Sequence, residues 1–161
     1  MRVENKVFVT LKGAVMTGTE IEKEITVNTA TTISEAVRYV AKTDDGWGIV
    51  MTGLDADDGS DLDYAGIFGM SMINLKIEGK LVKKARVKNK RGKWLPYGCG
   101  FNTELGNDTE ITGIEIVGKG LIFAVHIKGG MWLNPVRTAD EEGSVFIGNG
   151  AVIDGIWIDE I

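Results

Sequence analysis

The chain has 161 residues, 43% of them hydrophobic, with 22 Gly, 2 Pro, one Cys, one His and a net charge of −5. That length predicts one domain, or one plus a short arm, and the hydrophobic content supports a core rather than disorder. One cysteine excludes an intramolecular disulfide and a cysteine-built zinc site, and one histidine excludes any site needing two. No metal and no cofactor is expected. No run approaches the roughly 18 consecutive apolar residues of a membrane span, so no membrane role is expected. The segment Met1-Arg2-Val3-Glu4-Asn5-Lys6 has neither an apolar core nor a small-residue cleavage site, which predicts no signal peptide.

Taken in chain order, residues 6–12 alternate with Val7, Val9 and Leu11 on one face, and residues 20–27 alternate again. Residues 1–35 therefore read as an N-terminal β-hairpin arm. Thr32 followed by Glu35 resembles a capping box and predicts a helical turn over 32–40, although residues 36–41 also read as a strand. Beyond that point the pattern is β. Leu121, Phe123, Val125 and Ile127 share one strand face, Ile111, Ile114 and Ile116 recur just before, and Val152, Ile153, Ile156 and Ile158 close the chain. The glycine content, about twice ordinary usage, implies many tight turns between short strands.

Self-similarity organises this β region. Three segments share one order of features: a strand ending in Lys, a Gly-containing turn, a Trp, a polar loop, and an apolar-x-x-apolar-x-apolar strand. The lysines are Lys42, Lys88 and Lys128, and the tryptophans are Trp47, Trp94 and Trp132. The closing strands are Met72–Ile77, Ile111–Ile116 and Ile153–Ile158. Units of about 40 residues cannot bury a core singly and must share one. The expected fold is all-β, with three pseudo-repeats (36–80, 81–120, 121–161) in a β-trefoil-like arrangement; a β-prism or a sandwich is the alternative.

Charge is uneven. Lys80, Lys83, Lys84, Arg86, Lys88, Lys90, Arg91 and Lys93 fall in one stretch without an acid, while the other ten basic residues face all 23 acids. Trp94 and Tyr97 follow directly, and basic residues beside aromatics are a nucleic-acid signature. The net-acidic chain argues against that partner, and a solvated hairpin is the plainer reading. The run Asp55-Ala-Asp57-Asp58-Gly59-Ser60-Asp61-Leu62-Asp63 resembles a calcium loop, but Gly59, Ser60 and Gly66 stand where that loop needs an acid, Gly and Glu. An acidic surface loop is expected instead.

The motifs Val125-His126-Ile127-Lys128-Gly129-Gly130 with Trp132-Leu133, Gly92-Lys93-Trp94-Leu95-Pro96-Tyr97, Tyr64-Ala65-Gly66 and Ile153-Asp154-Gly155-Ile156 carry a resemblance. Residues 37–161 resemble the C-terminal tryptophan-containing repeats of clostridial and bacillary cell-wall hydrolases and phage lysins. No single unit holds the full pattern, and no hydrolase domain accompanies it here. The resemblance implies non-catalytic attachment to a bacterial cell-wall or surface glycan, by a protein released by lysis or carried on a phage or assembly; otherwise a cytoplasmic location is expected.

The expected sugar-contacting residues are Trp47, Trp94, Tyr97 and Trp132, whose ring faces can pack on C–H groups. The expected polar partners are Asp55, Asp57, Asn102, Asn134 and Asp140, in the loops that differ between units. The alternative for the tryptophans is a core anchor of each repeat. A Cys99–His126 nucleophilic pair would need the two in hydrogen-bond reach, and Glu104 with Glu110 would need a fixed separation for glycoside cleavage. Neither assembles a full constellation, so a lectin-like binding module, not an enzyme, is expected. Two alternatives stand beside it: a phage virion or assembly component (a homo-oligomer joined by the arm), and a protein or nucleic-acid antagonist using Lys83, Lys84, Arg86, Lys88, Lys90, Arg91 and Lys93.

Overall fold

The computed structural model describes residues 3–4, 31–32, 36–53, 64–139 and 141–161. The chain divides into two compact units, Met1–Ser34 and Glu35–Ile161. In the first, β1 (Val3–Glu4) pairs antiparallel with β2 (Thr31–Thr32). The alternating segments at 6–12 and 20–27 lie outside the described residues.

The second unit is all-β among the described residues. Its strands are β3 (Arg38–Thr43), β4 (Gly46–Trp47), β5 (Met51–Thr52), β6 (Ala65–Gly66), β7 (Asn74–Glu78), β8 (Val82–Asn89), β9 (Leu105–Gly106), β10 (Ile111–Gly118), β11 (Leu121–Ile127), β12 (Val136–Arg137), β13 (Gly143–Ile147) and β14 (Ile153–Glu160). The capping-box signal at Thr32 and Glu35 does not produce helix at 38–40, which are strand. The β-branched and aromatic side chains of Val37, Tyr39 and Val40 are buried, and packing of that kind overrides a local cap.

The strands form three separate antiparallel sheets, none of which closes. Their orders are β4-β3-β7-β9, with β5 also on β3; β13-β10-β8; and β12-β11-β14-β6. Each has the same centre, a long hairpin pairing a segment's first strand with its last: β3 with β7, β8 with β10, β11 with β14. Each also takes a short strand from the next segment. Leu105 of β9 lies opposite Leu75 of β7, Ile147 of β13 opposite Ile114 of β10, and Ala65 of β6 opposite Ile156 of β14. The donation is cyclic, because the first segment covers the last.

One glycine position recurs at these crossings. Gly66, Gly106 and Gly148 have φ of +111°, +115° and +147°, and a Cβ on them would run into the carbonyl oxygens of Asp154, Ile73 and Thr112. Only glycine lets two backbones approach so closely at that φ. Beneath, one core joins the three sheets. Met72, Ile111 and Ile153, equivalent in the three closing strands, are fully buried. The Met72 N–H donates to the Ile153 carbonyl (2.9 Å) and the Ile111 N–H to the Met72 carbonyl (3.0 Å), tying the closing strands together near their starts.

The register revises one equivalence read from the sequence. Lys42 lies opposite Asn74 and pairs with Trp47; Lys88 lies opposite Gly113 and bridges Trp94; His126, not Lys128, lies opposite Gly155 and bridges Trp132. Lys128 sits two residues on, in the turn. The motif of strand-ending Lys, Gly and Trp concealed this because its lysine is shifted relative to the ladder.

Candidate functional site

Three sites follow from this register. At each, the residue at the Lys42, Lys88 or His126 position meets the segment donated by the next unit, and at the second and third so does the tryptophan. Tyr64, Glu104 and Phe146 are the equivalent residues just before the donated glycine.

The first site is closed by polar contacts. The Lys42 ammonium lies 3.3 Å from Asp108. Asn74 Nδ2 donates to Glu104 (2.8 Å) and Asp108 (2.9 Å), and its Oδ1 accepts the Asp108 N–H (3.0 Å). Asp108 holds φ +65°, a conformation short polar residues tolerate. Lys76 lies over the Trp47 ring at 4.4 Å and Lys42 at 5.9 Å.

The second site is cationic and aromatic. Val82, Ala85 and Val87 of β8 are buried, so Lys84, Arg86 and Lys88 line the outer face. Lys84 and Arg86 lie over Tyr97 at 4.0 and 4.4 Å, and Arg86 and Lys88 over Trp94 at 4.7 and 5.1 Å. Lys88 also reaches the Phe146 ring at 5.8 Å, and Phe146 meets Trp94 edge-on. Glu115, opposite Arg86, accepts hydrogen bonds from Arg86, Tyr97 (3.0 Å) and Ser144. Burial works to raise the Glu115 carboxyl, but those three donors together hold it below the usual carboxylate range. The Tyr97 phenol is pushed up by desolvation and by its bond to Glu115.

The third site is a stack. Tyr64 lies parallel to Phe68 (4.4 Å between centroids), Phe68 lies against His126 (4.0 Å), and Trp132 stands nearly perpendicular to all three. His126 Nδ1 is 2.6 Å from the fully buried carboxylate of Asp154, whose other oxygen accepts the Gly69 N–H (2.7 Å). Asp154 thus fixes both the ring and the loop that carries Phe68.

Two hollows accompany these sites. An apolar cleft of about 360 Å³ lies between β4, the residues after it, and β6; Trp47, Met51, Tyr64 and Ile67 line it, with Thr43 and Asp45 as its polar members. A polar cavity of about 720 Å³ lies among the hairpin tips, which bring Asp44, Lys90, Arg91 and Lys128 to its wall. There Glu110 accepts from Ser71 (2.7 Å) and pairs with Lys90 (3.0 Å), and Lys128 donates to Ser71 (3.1 Å). The Ser71 hydrogen bond, reinforced by Lys90, lowers the Glu110 carboxyl.

The expected sugar-contacting residues are thus divided among different places. Trp47, Trp94 and Trp132 are half-buried; Tyr97 is exposed beside Trp94. Asn102 and Asn134 are exposed. Asn102 follows Phe101, whose N–H donates to Glu78 and whose ring carries Arg38. Asp55, Asp57 and Asp140, and with them the acidic run 55–63, lie outside the described residues. Lys83, Lys84, Arg86 and Lys88 lie on β8, Lys90 and Arg91 in its turn, and Lys93 just beyond. Cys99 and His126 have separate partners: the thiol faces the Val82 carbonyl (3.9 Å), and burial pushes it up, away from thiolate chemistry. Glu104 and Glu110 likewise have separate partners, Asn74 for the first and Ser71 with Lys90 for the second. Sequence reasoning missed Phe68, Phe146, Glu115 and Asp154. Of these, Phe146 had a signal in the position it shares with Tyr64 and Glu104, legible as part of a site only once one unit is known to pack on the next.

No family model, curated protein or solved structure matches this chain. Among the described residues no helix is long and apolar enough to cross a membrane.

Proposed function

We propose that the chain is a non-catalytic, lectin-like module that attaches to a bacterial cell-wall or surface glycan. The cleft walled by Trp47 and Tyr64 carries this reading. It joins aromatic surface to a few polar groups, Thr43 and Asp45, the combination that packs sugar C–H groups and orients hydroxyls. The repeated strand-turn-Trp units, and their resemblance to lysin repeats, support the same class. Three separate sheets, one per unit and none closed, favour the β-prism form of the repeat fold over the trefoil. Sites of modest affinity on one chain gain avidity on a polymer that presents many copies of its unit.

The test is sedimentation with purified bacterial cell walls, before and after Trp47→Ala and Tyr64→Ala, with circular dichroism as the fold check. Retention of the intact chain on walls, and a loss of about tenfold or more in each variant, is the expected result. A folded chain that binds no wall preparation and no glycan on an array would overturn the reading.

A further inference from the structure

The outer face of β8 is built differently from the Trp47 cleft. Its cations Lys84, Arg86 and Lys88 occupy alternate residues of one strand, about 6.8 Å apart by strand geometry. The Tyr97 and Trp94 rings interleave with them, each carrying two cations. Opposite Lys88 stands Gly113, where an added Cβ would press on the lysine stem, so the stem has room to cross toward Phe146. The stacked stems are ordered before any ligand arrives, which lowers the entropy lost on binding. One carboxylate, Glu115, faces three cations, and among the described residues Lys84 and Lys88 pair with no acid.

We propose that this ladder binds a phosphodiester-linked polyol polymer of the bacterial envelope, each cation meeting one phosphate. The spacing of these residues along the strand is comparable to the phosphate-to-phosphate distance across a three-carbon polyol. Rings already covered by cations offer poor platforms for stacked bases, the feature on which single-stranded nucleic-acid binding relies. Nor does the net negative charge oppose a polyanion here, because exposed charges more than about 8 Å away are largely screened at physiological salt. The face is distinct from the Trp47 cleft and rests on the envelope reading only for the source of its ligand.

The experiment titrates the full chain with purified poly(glycerol phosphate), and compares untreated cell walls with walls stripped of phosphodiester polymer by hydrofluoric acid. The polymer binds; the double variant Lys84→Gln/Lys88→Gln, with unchanged circular dichroism, loses about tenfold, and Lys84→Arg/Lys88→Arg retains binding. The slope of log affinity against log salt shrinks by about 0.7 to 0.9 for each cation removed. Equal binding to stripped and untreated walls, with none to the polymer, overturns this proposal and leaves the glycan reading standing. Absence of binding to polymer, to both walls and to every glycan on an array overturns both. An oligonucleotide without base preference that binds as tightly as the polymer also overturns it, in favour of a nucleic-acid surface.

Discussion

Glu115 shows how one residue can hold a functional face together. Its carboxylate, 9% exposed, serves Arg86, Tyr97 and Ser144 from a strand whose other residues are mostly apolar. Its carboxyl is held below the ordinary value of 4.5, as are those of Glu110, through Ser71 and Lys90, and Glu78, through Arg38. A carboxylate depressed in the folded state adds stability that is present above its unfolded pKa and lost as pH falls through the folded one. The urea midpoint is therefore expected to hold steady down to about pH 5 and to drop below about pH 4. Glu115→Gln is expected to cost about 1–3 kcal/mol at neutral pH, because a buried charged acceptor is lost, and to flatten the acid limb. A variant with an unchanged limb would place the acid sensitivity elsewhere. The sequence marked Arg86 and Tyr97 through the basic run but gave no reason to separate Glu115 from 22 other acids. Its three partners come from β8, the loop after it and β13, and a single sequence does not show which strands lie side by side.

At the scale of the element, the short donated strands carry more of the architecture than their length suggests. β6 is two residues long, yet its pairing with β14 joins the beginning of the second unit to its end. Gly66→Ala would force a side chain into φ +111° and against the Asp154 carbonyl. The expected cost is about 2–4 kcal/mol, with loss of the Tyr64–Phe68–His126 stack, read by urea unfolding and by the ring-shifted proton resonances of that cluster. Gly69→Ala, at φ +93° but with open space around it, is expected to cost less. The long strands were legible: the alternation of Leu121, Phe123, Val125 and Ile127 is the buried face of β11, all four at or below 8% exposure. Donated strands of two residues leave no periodicity to read, so β6 and β9 emerged only from tertiary pairing. Residues 38–40, expected as part of a helical turn, are strand because Val37 and Tyr39 are buried, and the Tyr39 hydroxyl accepts the Ile158 N–H (3.0 Å).

At the scale of the molecule, no segment of the second unit completes its own sheet. Removing residues 143–161 would take β13 from β10 and β14 from both β11 and β6. It would also take Ile153 from the shared core and its carbonyl from the Met72 N–H. Such a truncation is expected to lose cooperative unfolding and near-ultraviolet dichroism altogether, rather than to leave two folded segments; a sharp residual transition would show that the segments are independent. The all-β character was legible because alternating apolar residues and glycine-rich turns recur along the chain. The cyclic donation was not, since nothing local tells a strand whether its neighbour is its own or the next. That donation also bears on synthesis. β6 is made early, but its partner at Gly155 and Ile156 is added about 90 residues later, so the ribosome must finish most of the second unit before its first segment can settle. Until then β6 stands without its partner, and a chaperone or a neighbouring nascent copy can reach it first.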